Sequence, residues 1–234
     1  MTIDERLDQI AWDQIARALG EQGWATTGPL LTPDERRELI AAYDDDGLFR
    51  STVAMARHGY GRGEYRYFAY PLPELVSRMR ERLYRQLLPV ANAWRGALGQ
   101  RERFPDSHAE FLERCHAAGQ TRPTPLLLRY GPGDYNCLHQ DLYGEWVFPL
   151  QAAFLLDDPS QFEGGEFVLT EQRPRMQSRV QVVPLDAGGG VIFAVNHRPV
   201  QGARGTYRVA MRHGVSQLRK GSRHTLGVIL HDAA

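Results

Sequence analysis

The feature that most constrains the fold of this 234-residue chain is a change of sequence texture after Thr121–Pro125. Beyond it, short runs of β-branched, aromatic and aliphatic residues alternate with Gly, Pro and Asp turns. These runs predict strands at Leu126–Tyr130, Val147–Leu156, Glu166–Thr170, Gln181–Val183, Val191–Val195, Tyr207–Arg212 and Thr225–Leu230. Seven or eight short strands after a helical front half predict a double-stranded β-helix, or jelly-roll, barrel.

Before residue 121 the patterning is mostly helical. Thr32-Pro33-Asp34-Glu35 is a helix start, with Thr as the N-cap, Pro in the first turn and Glu three residues after the cap. The apolar spacing predicts further helices at 3–20, at Leu75–Leu98 with an interruption near Pro89, and at Asp106–Ala118, and strands at Trp24–Leu31 and Glu64–Tyr70. We therefore predict an α+β fold with a mainly β core flanked by N-terminal helices. It forms a single domain over 1–234, with 1–120 as helical front and supporting strands and 121–234 as jelly-roll core.

Composition predicts a cytoplasmic protein that does not bind a membrane. No run approaches the roughly 18 apolar residues that span a bilayer. The N-terminus lacks the basic and apolar segments of a signal peptide. Cys115 and Cys137 are the only cysteines. Two cysteines do not indicate a disulfide scaffold, so we expect a reducing compartment.

Two histidines and an aspartate form the candidate metal site. His139 and Asp141 are two residues apart, so on a strand their side chains point to the same face. On a helix they would diverge by about 200°. His213 arrives near the end of the chain. Two imidazoles and one carboxylate hold one face of Fe(II) and leave the other face open for reactants.

Arg223 is the candidate anchor for a carboxylate cosubstrate. It follows His213 by ten residues and lies after Arg219-Lys220-Gly221-Ser222, which we interpret as a hairpin turn joining the strand of His213 to that of Thr225. Arg223 and Thr225 share one strand face, so guanidinium and hydroxyl can bind the distal carboxylate of 2-oxoglutarate together. This combination favours an oxygenase that consumes 2-oxoglutarate.

The sequence contains rival candidates for the distal His, the Arg and a further metal ligand. His197 and Arg208 imitate the pattern of distal His and Arg, but Pro199 is awkward inside a central strand, and we prefer His213 and Arg223. Cys137 has the strand parity of His139. It would favour a softer metal if it were a ligand, and we expect it to be a buried core thiol instead.

Two broader features bear on the substrate. Net charge is zero, but Arg173–Arg223 holds ten basic residues and one acid, Asp186, which either forms a basic surface for an anionic partner such as nucleic acid or reflects the charged solvent faces of strands. An aromatic set either lines a substrate cleft or packs a strand onto the barrel; its members are Tyr60, Tyr65, Tyr67, Phe68 and Tyr70.

Over roughly residues 24–232 the chain resembles the Fe(II)/2-oxoglutarate-dependent dioxygenase superfamily. The matching elements are the stretch from Gly23-Trp24-Ala25 through Pro33-Asp34-Glu35-Arg36, then His139-x-Asp141, Gly164-Gly165-Glu166-Phe167, His213 and Arg223-x-Thr225. The stretch from Arg122 to Ala233 is more closely similar to a bacterial family of such oxygenases that has been proposed to dealkylate damaged DNA. The resemblance implies His139, Asp141 and His213 as iron ligands, Arg223 as the carboxylate clamp, and Thr225 and Tyr130 as further cosubstrate contacts. No catalytic residue beyond the metal ligands is implied.

The leading hypothesis is a dioxygenase that uses Fe(II), 2-oxoglutarate and O2, with ascorbate as an accessory reductant. It would hydroxylate or oxidatively demethylate its substrate and release succinate and CO2. For the substrate we lean slightly towards alkylated nucleic acid; a protein side chain of the prolyl type or a small metabolite is the alternative. A second alternative is a metal-binding jelly-roll sensor without turnover, against which Arg223 argues because such a barrel needs no carboxylate clamp.

Overall fold

Short antiparallel strands make up most of the computed structural model, which describes residues 1–203 and 205–234. The helices of this part of the chain are α1 (Ile3–Asp8), α2 (Trp12–Gln22), α3 (Pro33–Ala42), α4 (Glu74–Ala97) and α5 (His108–Ala117), with single 3-10 turns at Asp46–Leu48, Met55–Arg57 and Pro159–Gln161. Its strands are β1 (Trp24–Pro29), β2 (Phe49–Ala54), β3 (Gly61–Arg62), β4 (Glu64–Phe68), β5 (Leu126–Tyr130), β6 (Tyr135–His139), β7 (Leu150–Leu155), β8 (Glu163–Gly164), β9 (Phe167–Gln172), β10 (Arg179–Val183), β11 (Gly189–Ala194), β12 (His197–Gly202), β13 (Gly205–Val215), β14 (Leu218–Lys220) and β15 (Arg223–Val228).

The predicted helix start at Thr32 is confirmed. The Thr32 hydroxyl accepts a hydrogen bond from the Glu35 backbone N–H, and the Glu35 carboxylate accepts one from the Thr32 N–H. These reciprocal bonds satisfy two of the donors that a helix leaves unpaired at its N-terminus. The residues Asp106–Ala118 likewise contain a helix, α5, which is capped by Ser107.

Two helix predictions were wrong in detail. Residues 3–20 form two helices, α1 and α2, and at the break the indole of Trp12 donates to the Leu7 carbonyl. The predicted interruption at Pro89 does not occur, because α4 is continuous from Glu74 to Ala97. Pro89 cannot bond to the carbonyl of Arg85, but both residues are exposed, so water can satisfy that carbonyl while the buried face holds the helix.

The strands form two main antiparallel sheets. The larger has the order β1-β11-β7-β15-β5-β4-β2, and the smaller has the order β10-β9-β13-β6-β3, with β12 also paired to β13. β14 and β8 form a separate two-stranded ladder. Each of the seven strands predicted beyond residue 121 is present, with ends shifted by no more than three residues. Strands β1, β2 and β4 from the front part complete the larger sheet, whereas the division at residue 120 stays a prediction.

Alternation along the strands separates the core from a cavity. On β15, Leu226 and Val228 join the helices in the main core, whereas Arg223 and Thr225 line the cavity between the sheets. On the next strand, β5, Leu127 faces the core. Other core residues come from α2, α4, β7 and β11, among them Leu19, Leu83, Leu87, Phe154 and Ile192. The helices therefore cover one face of the larger sheet, and its other face is left for a site.

The hairpin prediction for Arg219–Ser222 was wrong. β13, which carries His213, belongs to the smaller sheet, while β15 belongs to the larger one. Between them β14 pairs with β8, and the turn at Gly221 (φ 80°) passes the chain from one sheet to the other. The turn residues are as predicted, but they connect facing sheets. None of the helices in the two described ranges is both long and apolar enough to cross a bilayer.

Candidate metal and cosubstrate site

Strand pairing brings His139 and His213 together. They are direct partners between β6 and β13, and their ring centroids lie 4.1 Å apart. The close approach of the two strands requires Gly214, since a Cβ there would lie 2.6 Å from the Asn136 carbonyl oxygen. β6 ends at His139, and the chain turns so that Asp141 reaches the same point.

The three side chains present their ligand atoms to one small volume. One nitrogen of each histidine and one oxygen of Asp141 all lie within 4.8 Å of one another. His139 Nε2 is 3.5 Å from Asp141 Oδ1, and His213 Nε2 is 3.3 Å from Oδ2. Nδ1 of His139 lies 2.8 Å from the Cys137 carbonyl, which can only accept, so Nδ1 carries a hydrogen and Nε2 is the atom that faces Asp141.

Two neighbours hold the Asp141 carboxylate in place. The Tyr143 hydroxyl donates to Oδ1 at 2.6 Å, and the Gln151 amide donates to Oδ2 at 2.7 Å. Burial would raise the pKa of Asp141, but the imidazoles of His213 and His139 outweigh it and hold that pKa well below its usual range. Asp141 is therefore an ionised carboxylate with both oxygens oriented.

His213 is packed as a neutral imidazole. The rings of Phe193 and Phe167 lie 4.7 and 6.1 Å from its ring, and it is 7 % exposed. Burial lowers the pKa of His213, with a further contribution from His139. The pKa of His139 is raised overall, because the bond to Asp141 outweighs the effect of its burial. A neutral imidazole is the form that binds a metal ion.

Arg223 lies in the same cavity as the three metal-site residues. It is 1 % exposed, and its Nη1 donates to the Thr225 hydroxyl at 2.7 Å. Its cross-strand partner is Tyr130, whose ring centroid lies 5.7 Å from the guanidinium carbon. Among the described residues no carboxylate forms an ion pair with it. Gly165 leaves room for its stem, because a Cβ there would lie 2.9 Å from Arg223 Cδ.

A cavity of about 530 Å³ connects these groups. Tyr60, Tyr65 and Tyr67 line it, as the cleft interpretation of the aromatic set predicted. Phe68 instead lies in the main core, and the Tyr70 hydroxyl donates to Asp232. A buried carboxylate, two imidazoles and a buried cation without a carboxylate partner therefore share one cavity.

Residues 63–233 match the family described as "Oxygenase, catalysing oxidative methylation of damaged DNA". The chain belongs to this oxygenase family. An uncharacterized protein of Mycobacterium tuberculosis is 49 % identical over 168 residues, which cover 71 % of this chain and 72 % of that protein.

Solved structures of similar fold support the jelly-roll prediction. An oxidoreductase of the 2OG-Fe(II) oxygenase family from Burkholderia pseudomallei aligns with a TM-score of 0.57 at 16 % identity, over 97 % of this chain and 94 % of that chain. A prolyl-4-hydroxylase from Pseudomonas putida aligns with a TM-score of 0.54 at 16 % identity, over 92 % and 96 %. At this identity the likeness shows the fold alone, and it confirms the predicted double-stranded β-helix.

The rival residues of this oxygenase lie elsewhere. His197 begins β12, which within the described strands pairs with β13 alone, and it lines a separate surface groove together with Arg208. Pro199 is tolerated there because β12 is an edge strand. The prediction that Cys137 is a buried core thiol was wrong. Cys137 is exposed and lines the cavity, whereas Cys115 is buried. Cys137 is not in the cluster formed by the two histidines and Asp141.

The basic segment Arg173–Arg223 does not form one free basic surface on the oxygenase. Glu171, two residues before the segment, lies within 4 Å of the guanidinium groups of three of its arginines. These are Arg173, Arg179 and Arg198. Lys220 pairs with Glu163. Arg204, which the prediction included, lies outside the described residues.

Sequence reasoning missed Gln151 and the role of Tyr143. Gln151 stands in the apolar run that predicted β7, and a single amide among aliphatic residues was the available signal. Its Nε2 bonds to Asp141, while its buried Oε1 has no hydrogen-bond partner within the described chain. Both side chains act on the carboxylate that the sequence did identify.

Proposed function

We propose that this oxygenase is an Fe(II)- and 2-oxoglutarate-dependent dioxygenase, with His139, Asp141 and His213 as the metal ligands. The observation that carries the proposal is the shared cavity. It holds a two-histidine, one-carboxylate cluster and, on the facing sheet, a buried arginine with no carboxylate partner among the described residues. Either feature alone has structural explanations. Together they fit a redox metal and a dicarboxylate.

The donor set fits Fe(II) in particular. Imidazole and carboxylate suit Fe(II), and three protein ligands on one side leave positions open for a chelating cosubstrate and dioxygen. The hydrogen bonds to Asp141 from Tyr143 and Gln151 orient the carboxylate before any metal arrives. When bound, Fe(II) supplies activation of O2 coupled to oxidative decarboxylation of 2-oxoglutarate, with ascorbate to keep the metal reduced.

Arg223, Thr225 and Tyr130 would hold the cosubstrate. Arg223 is a rigid planar cation whose second edge is free after its bond to Thr225, so it suits the distal carboxylate of 2-oxoglutarate. The Thr225 hydroxyl and the buried Tyr130 hydroxyl are the nearby polar groups on β15 and β5. The charge of the cosubstrate would compensate a guanidinium whose pKa burial lowers.

For the substrate we propose an alkylated nucleic acid, in line with the damaged DNA of the family description. Oxygen inserted into a C–H bond of an N-methyl group gives an N-hydroxymethyl group. That group leaves as formaldehyde and restores the N–H. One O2 and one 2-oxoglutarate are consumed, and succinate and CO2 are released. This chemistry removes a methyl group and does not add one.

The ligand assignment is tested by paired histidine variants. We expect His213→Ala to lose Mn(II) binding, measured calorimetrically without oxygen, and to lose succinate formation with Fe(II), 2-oxoglutarate and ascorbate. His197→Ala is the matched control, because that side chain lies in a separate groove, and it should retain both. The reverse pattern would show that His213 is not the distal metal ligand.

The substrate class is tested by stimulated turnover. Methylated oligonucleotides, proline-containing peptides and small metabolites would be compared for increased succinate release. Formaldehyde release with a methylated oligonucleotide supports the proposal, whereas stimulation by a peptide or metabolite alone contradicts it.

The thiols of Cys115 and Cys137 are both free, which supports a reducing compartment, and we propose the cytoplasm.

A further inference from the structure

The segment Arg57–Arg62, called here the 57–62 loop, is attached to the strand that carries His139. Gly61 and Arg62 form β3 and pair with Asn136 and Tyr135 of β6. The Cys137 N–H donates to the Tyr60 carbonyl at 2.8 Å, two residues before His139. Gly61 has a φ of 132°, and a Cβ there would lie 2.3 Å from the Tyr135 carbonyl oxygen, so the loop backbone lies directly against β6.

The loop presents a stacked aromatic pair at the mouth of the cavity. The rings of His58 and Tyr60 are 5.3 Å apart with an interplanar angle of 22°. Tyr60 is 51 % exposed and also lines the cavity. Leu138 and Leu142 line the same cavity and are about half exposed. A flat, exposed ring beside an apolar rim is a surface on which a planar group can stack.

The same loop carries cations that the described chain leaves free. Arg57 and Arg62 are exposed, and neither forms an ion pair with any described carboxylate. The segment Arg57-His58-Gly59-Tyr60-Gly61-Arg62 contains no acidic residue. This contrasts with Arg173, Arg179 and Lys220 of the basic segment, which have glutamate partners. The 57–62 loop therefore carries two exposed cations without a described carboxylate partner, and it pairs directly with the strand that carries His139.

We propose that the 57–62 loop binds a single-stranded nucleic acid, with one base stacked on Tyr60 and the flanking phosphates bound by Arg57 and Arg62. The inference rests on the proposed function and specifies its substrate. His139, Asp141 and His213 line the inside of a cavity, so a base can reach them only when it is out of the duplex stack. A peptide adding as a strand finds positions 135–136 of β6 already paired with β3.

The test is fluorescence anisotropy with a labelled single-stranded DNA of about twelve nucleotides, with Mn(II) in place of Fe(II). Tyr60→Ala should weaken binding about 5- to 150-fold, the range for loss of one stacked base, and Tyr60→Phe should restore most of it. Arg57→Gln/Arg62→Gln should weaken binding and lower the slope of log affinity against log salt by about 1.4, which corresponds to two phosphate contacts on a single strand.

Arg208→Gln/Arg212→Gln is the matched control. It makes the same change in charge on exposed side chains of β13, within the basic segment, and should retain wild-type affinity. A duplex of the same sequence should bind more weakly than the single strand. Equal effects of the two double variants, an unchanged affinity in Tyr60→Ala, or binding of a proline-containing peptide in place of DNA would overturn the inference.

The wild-type protein separates this inference from the proposed function. Succinate release from 2-oxoglutarate without single-stranded DNA binding would refute the role of the 57–62 loop and leave the oxygenase chemistry standing. DNA binding that depends on Tyr60, without any cosubstrate turnover, would do the opposite. Thermal unfolding of each variant, followed by circular dichroism, should match the wild type, because the substituted side chains are exposed.

Discussion

Two buried arginines of this oxygenase have opposite surroundings. Arg80 and Arg223 are each 1 % exposed. Arg80 on α4 bonds to the fully buried Asp232 at 2.7 Å, and also to the Ile229 carbonyl and the Tyr70 hydroxyl. Arg223 on β15 bonds to Thr225 and has no carboxylate partner within the described residues.

The difference shows where the fold is complete and where it requires a ligand. A buried charge is costly unless an opposite charge and hydrogen bonds compensate it. Around Arg80 the chain supplies that compensation itself, and the region attaches the C-terminal residues to α4 and α5. Around Arg223 no described carboxylate lies within ion-pair distance, and we propose that an anion from outside the chain completes the site. The paired Arg80 therefore stabilises the fold, whereas the unpaired Arg223 is the candidate contact for a ligand.

The largest expected effect is the loss of stability when the buried ion pair of Arg80 and Asp232 is broken. Arg80→Met should destabilise the protein by about 3–5 kcal/mol, because it leaves Asp232 buried without its guanidinium. Urea unfolding without metal or 2-oxoglutarate measures it. Arg223→Met is the matched variant, and it should lose little or no stability, because no buried carboxylate is left behind. If both variants lost the same free energy of unfolding, the distinction between the two arginines would be refuted.

The second effect concerns the affinity for 2-oxoglutarate at Arg223. Arg223→Met should raise the KM for 2-oxoglutarate about 30- to 5000-fold, equivalent to the roughly 2–5 kcal/mol lost when one partner of a buried, hydrogen-bonded charge pair is removed. Mn(II) affinity without cosubstrate should stay near wild type, since the proposed metal ligands are unchanged. Initial rates of succinate formation over a range of 2-oxoglutarate concentrations measure the effect. A change in kcat with an unchanged KM would show that Arg223 does not bind the cosubstrate.

The contrast between the two arginines also explains what the sequence could predict. Local rules placed the strands beyond residue 121, the capping box at Thr32 and the shared face of Arg223 and Thr225. The pairing that makes these features a site is long-range. The turn at Gly221 looks the same whether the next strand joins its own sheet or the facing one. The predicted hairpin was therefore wrong, although its turn residues were correct.

Charge was the other property that sequence windows could not resolve. Arg173–Arg223 contains ten basic residues, but its main partner, Glu171, lies just outside the segment, and strand pairing and tertiary packing bring Arg179 and Arg198 to that carboxylate. Asp232 stands 152 residues from Arg80. Conversely, nothing in a count of charges distinguishes Arg57 and Arg62 from their neighbours. Whether a charge has a partner depends on the tertiary structure, so free and paired arginines look alike in the sequence.

The smallest expected effect, taken for one histidine and one pH unit, is a pH dependence of stability in the region around Arg80. Burial, helped by the charge of Arg80, lowers the pKa of His108 to about 3 and that of His231 to about 4. In the unfolded chain both take up a proton near pH 6.5. The unfolded state therefore binds more protons from about pH 6.5 down to the folded pKa values. Stability should fall as the pH drops through this window, by up to about 1.4 kcal/mol per pH unit for each histidine.

His108→Gln removes the contribution of one histidine to the pH dependence of stability. The variant loses the bond from Nε2 to the Leu230 carbonyl only if the glutamine amide cannot replace it, so its stability above pH 7 sets the baseline. Below about pH 6 its stability should fall less steeply than that of the wild type, and the two curves should run parallel above pH 7, where both histidines are neutral in either state. Urea midpoints between about pH 5.5 and 8 measure this, because most carboxylates stay ionised over that range. Curves that stay parallel throughout would mean that His108 takes up its proton in the folded protein, and the region around Arg80 would then tolerate a second buried cation.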